Sequence, residues 1–314
     1  MQSTLNVILP TLLLLSSILT RPLCHGICSI FCLGIVLSVA LVIRLNRLSL
    51  IALMSLLLIQ AQWGITQFIV QQDLGFNLVG ESPLSADTVG VAKFSVGSQK
   101  VMRAYGPYSH ANVFGGMMLV GALLTVSFLP SRVRTYFLII FGIAIIVSFS
   151  RSAYLGALLI PLFAGMSRIP RLKTIGLVLL LLSPLIFFRL VDQNQSWEER
   201  VRGYEWAHAI IIKQGIVNGV GFGRYEEALQ GFLAATKTPF ASWEIAPVHS
   251  MPLLLAVEIG LLPALLLMGA ILGTRSRKTL LLLVPLLPAL LFDHYFLTNL
   301  PALYTLLVLL FSVY

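Results

Sequence analysis

Charge is what this 314-residue chain has least of: 12 acidic and 21 basic residues make up 11% of it. Soluble domains carry about a quarter charged residues. With 58% hydrophobic residues and a mean hydropathy of +0.93, the shortage excludes a water-soluble fold and predicts an integral membrane protein. Cysteine is also scarce, with three in all, which excludes a disulfide-framed fold. Cys24, Cys28 and Cys32 recur at i, i+4 and i+8, so they line one helix stripe where small side chains let helices approach closely. A disulfide between successive turns of one helix would be strained. No His or carboxylate joins the stripe to complete a metal site, and no Asp/His cluster has metal-ligand spacing elsewhere, so no metal is expected.

What is present is a succession of apolar runs, and lipid admits these only as helices that satisfy their own backbone. The pattern predicts an all-α polytopic membrane domain over 1–314 with about ten spans: Leu5–Thr20, Cys24–Ile43, Leu48–Val70, Ala111–Leu129, Thr135–Phe149, Ala153–Met166, Thr174–Leu190, His249–Leu272, Thr279–Phe292 and Leu300–Tyr314. The first lacks a basic n-region and an A-x-A site, so it is expected to stay as an anchor. Four short connections hold Arg44 and Arg47, Arg132 and Arg134, Arg168, Arg171 and Lys173, and Arg275, Arg277 and Lys278. Alternation puts all four on one face, cytoplasmic by the positive-inside rule. Both termini are then inside, and two long loops, 71–110 and 191–248, are outside. The net charge of +9 therefore reports topology and implies no nucleic-acid partner.

On this topology the chemistry-bearing residues gather on the outer face. Every acid falls in an external connection except Glu258, and every His in an external loop or at an external helix end. In "SFSRSAYLG", Arg151 lies between two apolar runs, at the outer mouth of a tight helical hairpin. An unpaired cation at membrane depth costs about 2.5–3.5 kcal/mol or more, so such a residue usually faces a cavity or an anion. The first long loop ends in Arg103, His110 and Asn112 just before a span. Ser109 to Asn112 fit a helix cap and a ligand contact equally well.

The second loop contains "WEERVRGYEWAHAIIIKQG". Trp197, Val201, Tyr204, His208 and Ile211 have helical spacing, and Arg202, Trp206 and Ala209 make a second stripe, which predicts an amphipathic helix along the outer interface. "GVGFGR" follows a helix rather than a strand and lacks a nucleotide-binding spacing. It is expected to be a turn whose backbone approaches another surface closely. In "APVHSMPLLLAVEIGLLPALLL", His249 stands at the outer end of a span and Glu258 lies about 13 Å deeper at 1.5 Å per residue, where bonding to neighbouring helices is its favoured role.

In order, "GPYSHAN", "SRSAYLG", "RGYEW", "GVGFG" and "HSMPLLLAVEIGLL" resemble the bacterial O-antigen ligase and polysaccharide polymerase family over roughly residues 103–262. Two positions depart from the family pattern: Ser250 follows His249 where Asn is usual, and Ala111 stands where Pro is common. The resemblance implies a GT-C-like membrane fold. It also implies transfer of a glycan from an undecaprenyl-diphosphate carrier to a glycan or lipid acceptor hydroxyl, at the outer face of the bacterial cytoplasmic membrane and without nucleotide sugar or metal. Arg151 would stabilise the diphosphate leaving group, with Arg202 and Arg103 joining it, since guanidinium forms forked bonds to phosphate. His110 and Asn112 would contact substrate, and His249 would orient or deprotonate the acceptor. A transporter or flippase for a lipid-linked or anionic solute is the alternative, but the chain shows no internal repeat and its polar residues crowd one face. A scaffold subunit would leave the clustered Arg and His without a purpose.

Overall fold

The structure is a computed structural model and describes residues 47–79, 81–96, 98–164, 194–240, 244–273, 280–281, 283–299, 301–303, 305–306 and 309. The spans expected at 5–20, 24–43 and 174–190 lie outside the described residues, with the cysteine stripe and the basic connections at 44, 168–173 and 275–278. The segment expected at 300–314 is described only in part. The described residues are mostly helical and fall into two compact units. One draws on Arg44–Asp192 and Leu281–Ala289, the other on Gln193–Leu280 and Leu290–Tyr314.

The first unit holds α1 (Arg47–Val70), β1 (Lys93–Val96), β2 (Gln99–Met102), α2 (Ala111–Phe128), α3 (Ser131–Ser148) and α4 (Arg151–Ala164). Helix α2 is its centre. Residues 111–125 are all buried, because α1, α3 and α4 pack around them. Among the described residues two helices, Leu50–Val70 and Ala111–Phe128, are long and apolar enough to cross a membrane. The outward faces are apolar too: Ile51, Ile59 and Ile69 on α1, and Tyr136, Ile139, Ile143 and Ile146 on α3, are exposed. A helix whose outer face faced water would carry charge there. Arg134, from the first turn of α3, donates through Nε and Nη2 to the Leu129 carbonyl at the end of α2, which satisfies an orphan carbonyl and suits the negative end of that helix.

The first long loop is not wholly irregular. Strands β1 and β2 form an antiparallel hairpin, Lys93 opposite Met102 and Val96 opposite Gln99, which adds a small sheet to the expected all-α architecture. Upstream, the loop is anchored by Glu81, which is 4% exposed. Its carboxylate accepts from Trp63 Nε1 (2.9 Å), Gln67 Nε2 (2.6 Å), Leu74 N (2.9 Å) and Phe76 N (2.7 Å). Burial pushes its pKa up, but these four donors favour the carboxylate more and leave it below the ordinary value.

The second unit holds α5 (Asn194–Gln214), α6 (Tyr225–Thr236), α7 (Met251–Ile259), α8 (Leu261–Gly273), α9 (Leu287–Phe292, whose last residues belong here) and α10 (Tyr295–Thr298). The amphipathic helix expected in the second loop is α5, but its buried face runs through Ala207, Ile210 and Ile211, with Tyr204 and Trp206 packed beside them. His208 is exposed. The expected stripe was therefore rotated by about one residue, because α6 and α7 supply a protein core where an interfacial helix alone would meet lipid. The span expected over 249–272 is also not one helix: α7 ends at Gly260, with φ +98°, and α8 begins one residue later.

Glu81→Ala removes the acceptor of four hydrogen bonds at once. It should destabilise the first unit by about 3 kcal/mol, the scale for orphaned buried donors, and make the 71–84 segment the first site of limited proteolysis. An unchanged cleavage pattern would show that the loop is held elsewhere.

Candidate functional site

Within the first unit the sequence-predicted residues converge on the turn between α3 and α4. Ser148 Oγ donates to the Ile145 carbonyl, and the Ser150 amide donates back to Ser148 Oγ. Ser150 then caps α4, its Oγ accepting from Ala153 N at 3.4 Å. Between the serines, Phe149 adopts a left-handed φ of +48°, a conformation costing a non-glycine residue about 1–2 kcal/mol. Its ring packs against Phe94 of β1 at 4.0 Å between centroids and Phe68 of α1 at 6.0 Å, so the hairpin and α1 hold it there. The turn also lies close against α2. A Cβ on Gly115 would come within 2.6 Å of Ser148 Oγ and 2.8 Å of Ser150 Cβ.

Arg103, one residue beyond β2, ties this turn to the start of α2. Its Nε donates to the Ser148 carbonyl at 2.8 Å and its Nη2 to Asn112 Oδ1 at 2.6 Å, while Ala104 N donates to the Val147 carbonyl. His110 is the N-cap of α2, its Nδ1 accepting from Asn112 N at 3.1 Å. Capping thus falls to the histidine rather than to Ser109 or Asn112, and the Asn112 side chain serves Arg103. Arg151 is the first residue of α4 and is half-buried. No acid occupies that first turn.

Within the second unit, His249 immediately precedes α7. Its carbonyl accepts from Tyr204 Oη at 2.9 Å, and Met251 N donates to the Asp293 carbonyl at 3.0 Å. Its ring Nδ1 lies 3.6 Å from Asp293 Oδ1 and, at that separation, is buried without a hydrogen-bond partner. Asp293 is 5% exposed. The His294 ring is 5.4 Å from that of His249, with its Nδ1 2.8 Å from Thr298 Oγ1. Burial, then the neighbouring His249, push the His294 pKa down to about 4 against the opposing pull of Asp293, so His294 is neutral at pH 7. Burial also raises the Tyr204 phenol, which keeps it a donor. Asp293 and His294 were not singled out in the sequence. The signal was present in "FDHYF", an acid and a histidine adjacent in a short connection between apolar runs.

Arg202 donates to Glu244 Oε1 at 2.8 Å, with its own side chain 46% exposed. A pair this open contributes about 0–1 kcal/mol and leaves most of the guanidinium donors unused. Glu258, by contrast, is built into the fold. Its carboxylate accepts from the backbone N–H of Gly223 and Tyr225, at the start of α6, and its carbonyl accepts from Gly221 N at 2.9 Å. Gly219 of "GVGFG" is required by this contact, since a Cβ there would lie 2.1 Å from the Glu258 carbonyl oxygen. Among the described residues no group of three or more His, Cys, Asp or Glu could hold a metal ion.

No family model, curated protein or solved structure matches this chain.

The depressed His294 pKa sets a sign for acid stability. Unfolding lets the imidazole take up a proton near its ordinary pKa of about 6.5, which the folded state refuses until about pH 4. Its contribution is therefore full above 6.5 and is lost as pH falls toward 4. His294→Gln should flatten the fall in Tm between pH 7 and pH 4.5; an identical Tm profile in wild type and variant would assign the acid sensitivity to other groups.

Proposed function

We propose that the chain is a multi-pass glycosyltransferase of the bacterial cytoplasmic membrane, of the O-antigen ligase or polysaccharide polymerase type. It moves a glycan from an undecaprenyl-diphosphate carrier to an acceptor hydroxyl at the outer face, and both its termini are cytoplasmic. The observation that carries this reading is the buried Asp293 carboxylate 3.6 Å from His249 Nδ1, at the end of α7 that the positive-inside rule puts outside. Apolar outward faces on α1 and α3 support embedding in lipid.

The reaction is a displacement with inversion. The acceptor oxygen forms its bond to the anomeric carbon as the bond from that carbon to the diphosphate oxygen breaks, and undecaprenyl diphosphate leaves with the electron pair. His249 takes the acceptor proton. With Nδ1 turned toward Asp293, Nε2 is the nitrogen that receives it, and the carboxylate stabilises the imidazolium that forms. Arg151 and Arg103 in the first unit, and separately Arg202 in the second, are the candidate donors to a diphosphate whose charge grows. His110 and Asn112 act one step back, holding Arg103 and the start of α2 in place. Tyr204 fixes the backbone of His249, a task that residue 250 does not take on here, since the Ser250 side chain makes no cap hydrogen bond.

The test uses the full chain in nanodiscs with a defined undecaprenyl-diphosphate oligosaccharide and a separate acceptor. His249→Ala should still bind donor but transfer at least about a hundredfold more slowly, the scale for loss of a general base. Arg151→Lys should also lose most transfer, because an ammonium cannot reproduce a planar two-point phosphate contact. Near-normal turnover in both variants would overturn the assignment. Donor translocation without transfer in wild type would favour a flippase.

A further inference from the structure

We propose that the second unit carries a saccharide-ring subsite for the acceptor, which selects neutral or amino sugars and rejects acidic ones. The proposal rests on the transferase reading above. Its location is an open cleft of about 70 Å³ whose lining includes Glu199, Gly203, Trp206, Tyr225, Glu244 and His249. Three observations point to a ligand there.

The first is Gly203. It lies in the middle of α5, where glycine weakens a helix relative to alanine, and packing does not require it. A Cβ there would meet only Val248 Cγ2, at 4.0 Å. The missing side chain therefore serves the space in front of it, and that space is the cleft. The second is Tyr225, which is 2% exposed and whose hydroxyl is buried without a hydrogen-bond partner. An orphaned hydroxyl is costly, and Tyr225 lines the cleft. The third is composition. An aromatic wall with a few converging polar groups suits a small polar ligand with apolar faces, which describes a sugar ring. The charged members are carboxylates: Glu244, which holds Arg202 at 2.8 Å, and Glu199. Glu199 accepts from sugar hydroxyls or pairs with a sugar ammonium and repels a uronate, while Glu244 holds the Arg202 charge that would otherwise attract one. Because His249 lines the same cleft, a ring seated there brings a hydroxyl to the proposed base.

The experiment measures saccharide binding to the full chain in nanodiscs, without donor, by saturation-transfer NMR with neutral, amino and uronic-acid trisaccharides as probes. The neutral and amino probes should bind at least tenfold more tightly than the uronic one. Gly203→Leu should lose at least tenfold in affinity, Trp206→Ala likewise, and Glu244→Gln should shrink the discrimination against the uronic probe. Gly203→Ala controls for folding, because it should raise Tm while weakening binding. The subsite is overturned if no probe binds, if the uronic probe binds best, or if Gly203→Leu and Trp206→Ala bind as wild type. Binding with the expected pattern but no transfer from any lipid-linked donor would support the subsite and sink the transferase reading. Transfer with an unchanged acceptor KM in Gly203→Leu would do the reverse.

Discussion

The second unit depends on one constraint: α7 stops at Gly260, and backbone polar groups freed by a helix break must be satisfied by protein. The loop after α5 does this. Val220 N and Gly221 N donate to the carbonyls of Val257 and Glu258, and Leu262 N donates to Ile216 at 2.8 Å. The contact is intimate enough that a Cβ on Gly260 would lie 2.3 Å from the Val217 carbonyl oxygen. The Glu258 carboxylate closes the arrangement by accepting from Gly223 and Tyr225 at the start of α6, where negative charge is favoured by the helix dipole. One acid thereby fixes α6 to α7, and with them both the Tyr225 wall of the cleft and the start of α7 where His249 stands.

The first unit solves the same problem with a cation. Its irregular segments are the turn between α3 and α4 and the stretch leading into α2, and Arg103 bonds to both. Glu81 does the corresponding work for the stretch after α1, collecting two side-chain and two backbone donors. Charged groups make the stronger hydrogen bonds, so a chain with few charges places some of them where backbone would otherwise go unsatisfied. Arg103 therefore has a structural task whatever its part in chemistry, whereas Arg151 has a position at a helix start that helix electrostatics alone would not choose.

The sequence made the helices legible because their signal is local. Apolar runs predicted α1 to within a residue at its start, and the ends of α2 and the turn around Ser148 to Arg151 were read from a capping pattern and an interrupted run. The tertiary part was not legible. The four donors of Glu81 come from positions 63, 67, 74 and 76, so nothing around "GESP" announces them. The break in "EIGLL" is disguised by its hydropathy, since glycine inside an apolar run reads as tolerated helix until the loop that requires φ +98° is known. The buried face of α5 was misread by about one residue for the same reason: its partners lie in α6 and α7. Asp293 and His294 went unremarked because their meaning comes from His249, 44 and 45 positions earlier in the chain.

Position of charge also separates the chemical tasks. Arginine is fully protonated at any physiological pH, so Arg103 and Arg151 bring permanent positive charge to the first unit. His249, Asp293 and His294 supply a group able to change protonation state, beside a carboxylate and beside an imidazole held neutral by burial. A neutral His294 matters to this division. A second imidazolium 5.4 Å away would repel positive charge beside it, whereas a neutral ring leaves the Asp293 carboxylate, 3.6 Å from His249 Nδ1, as the charged neighbour. Burial thus makes His294 a poor base, and in the proposed reaction the proton falls to His249, whose Nε2 lies outside the Asp293 contact.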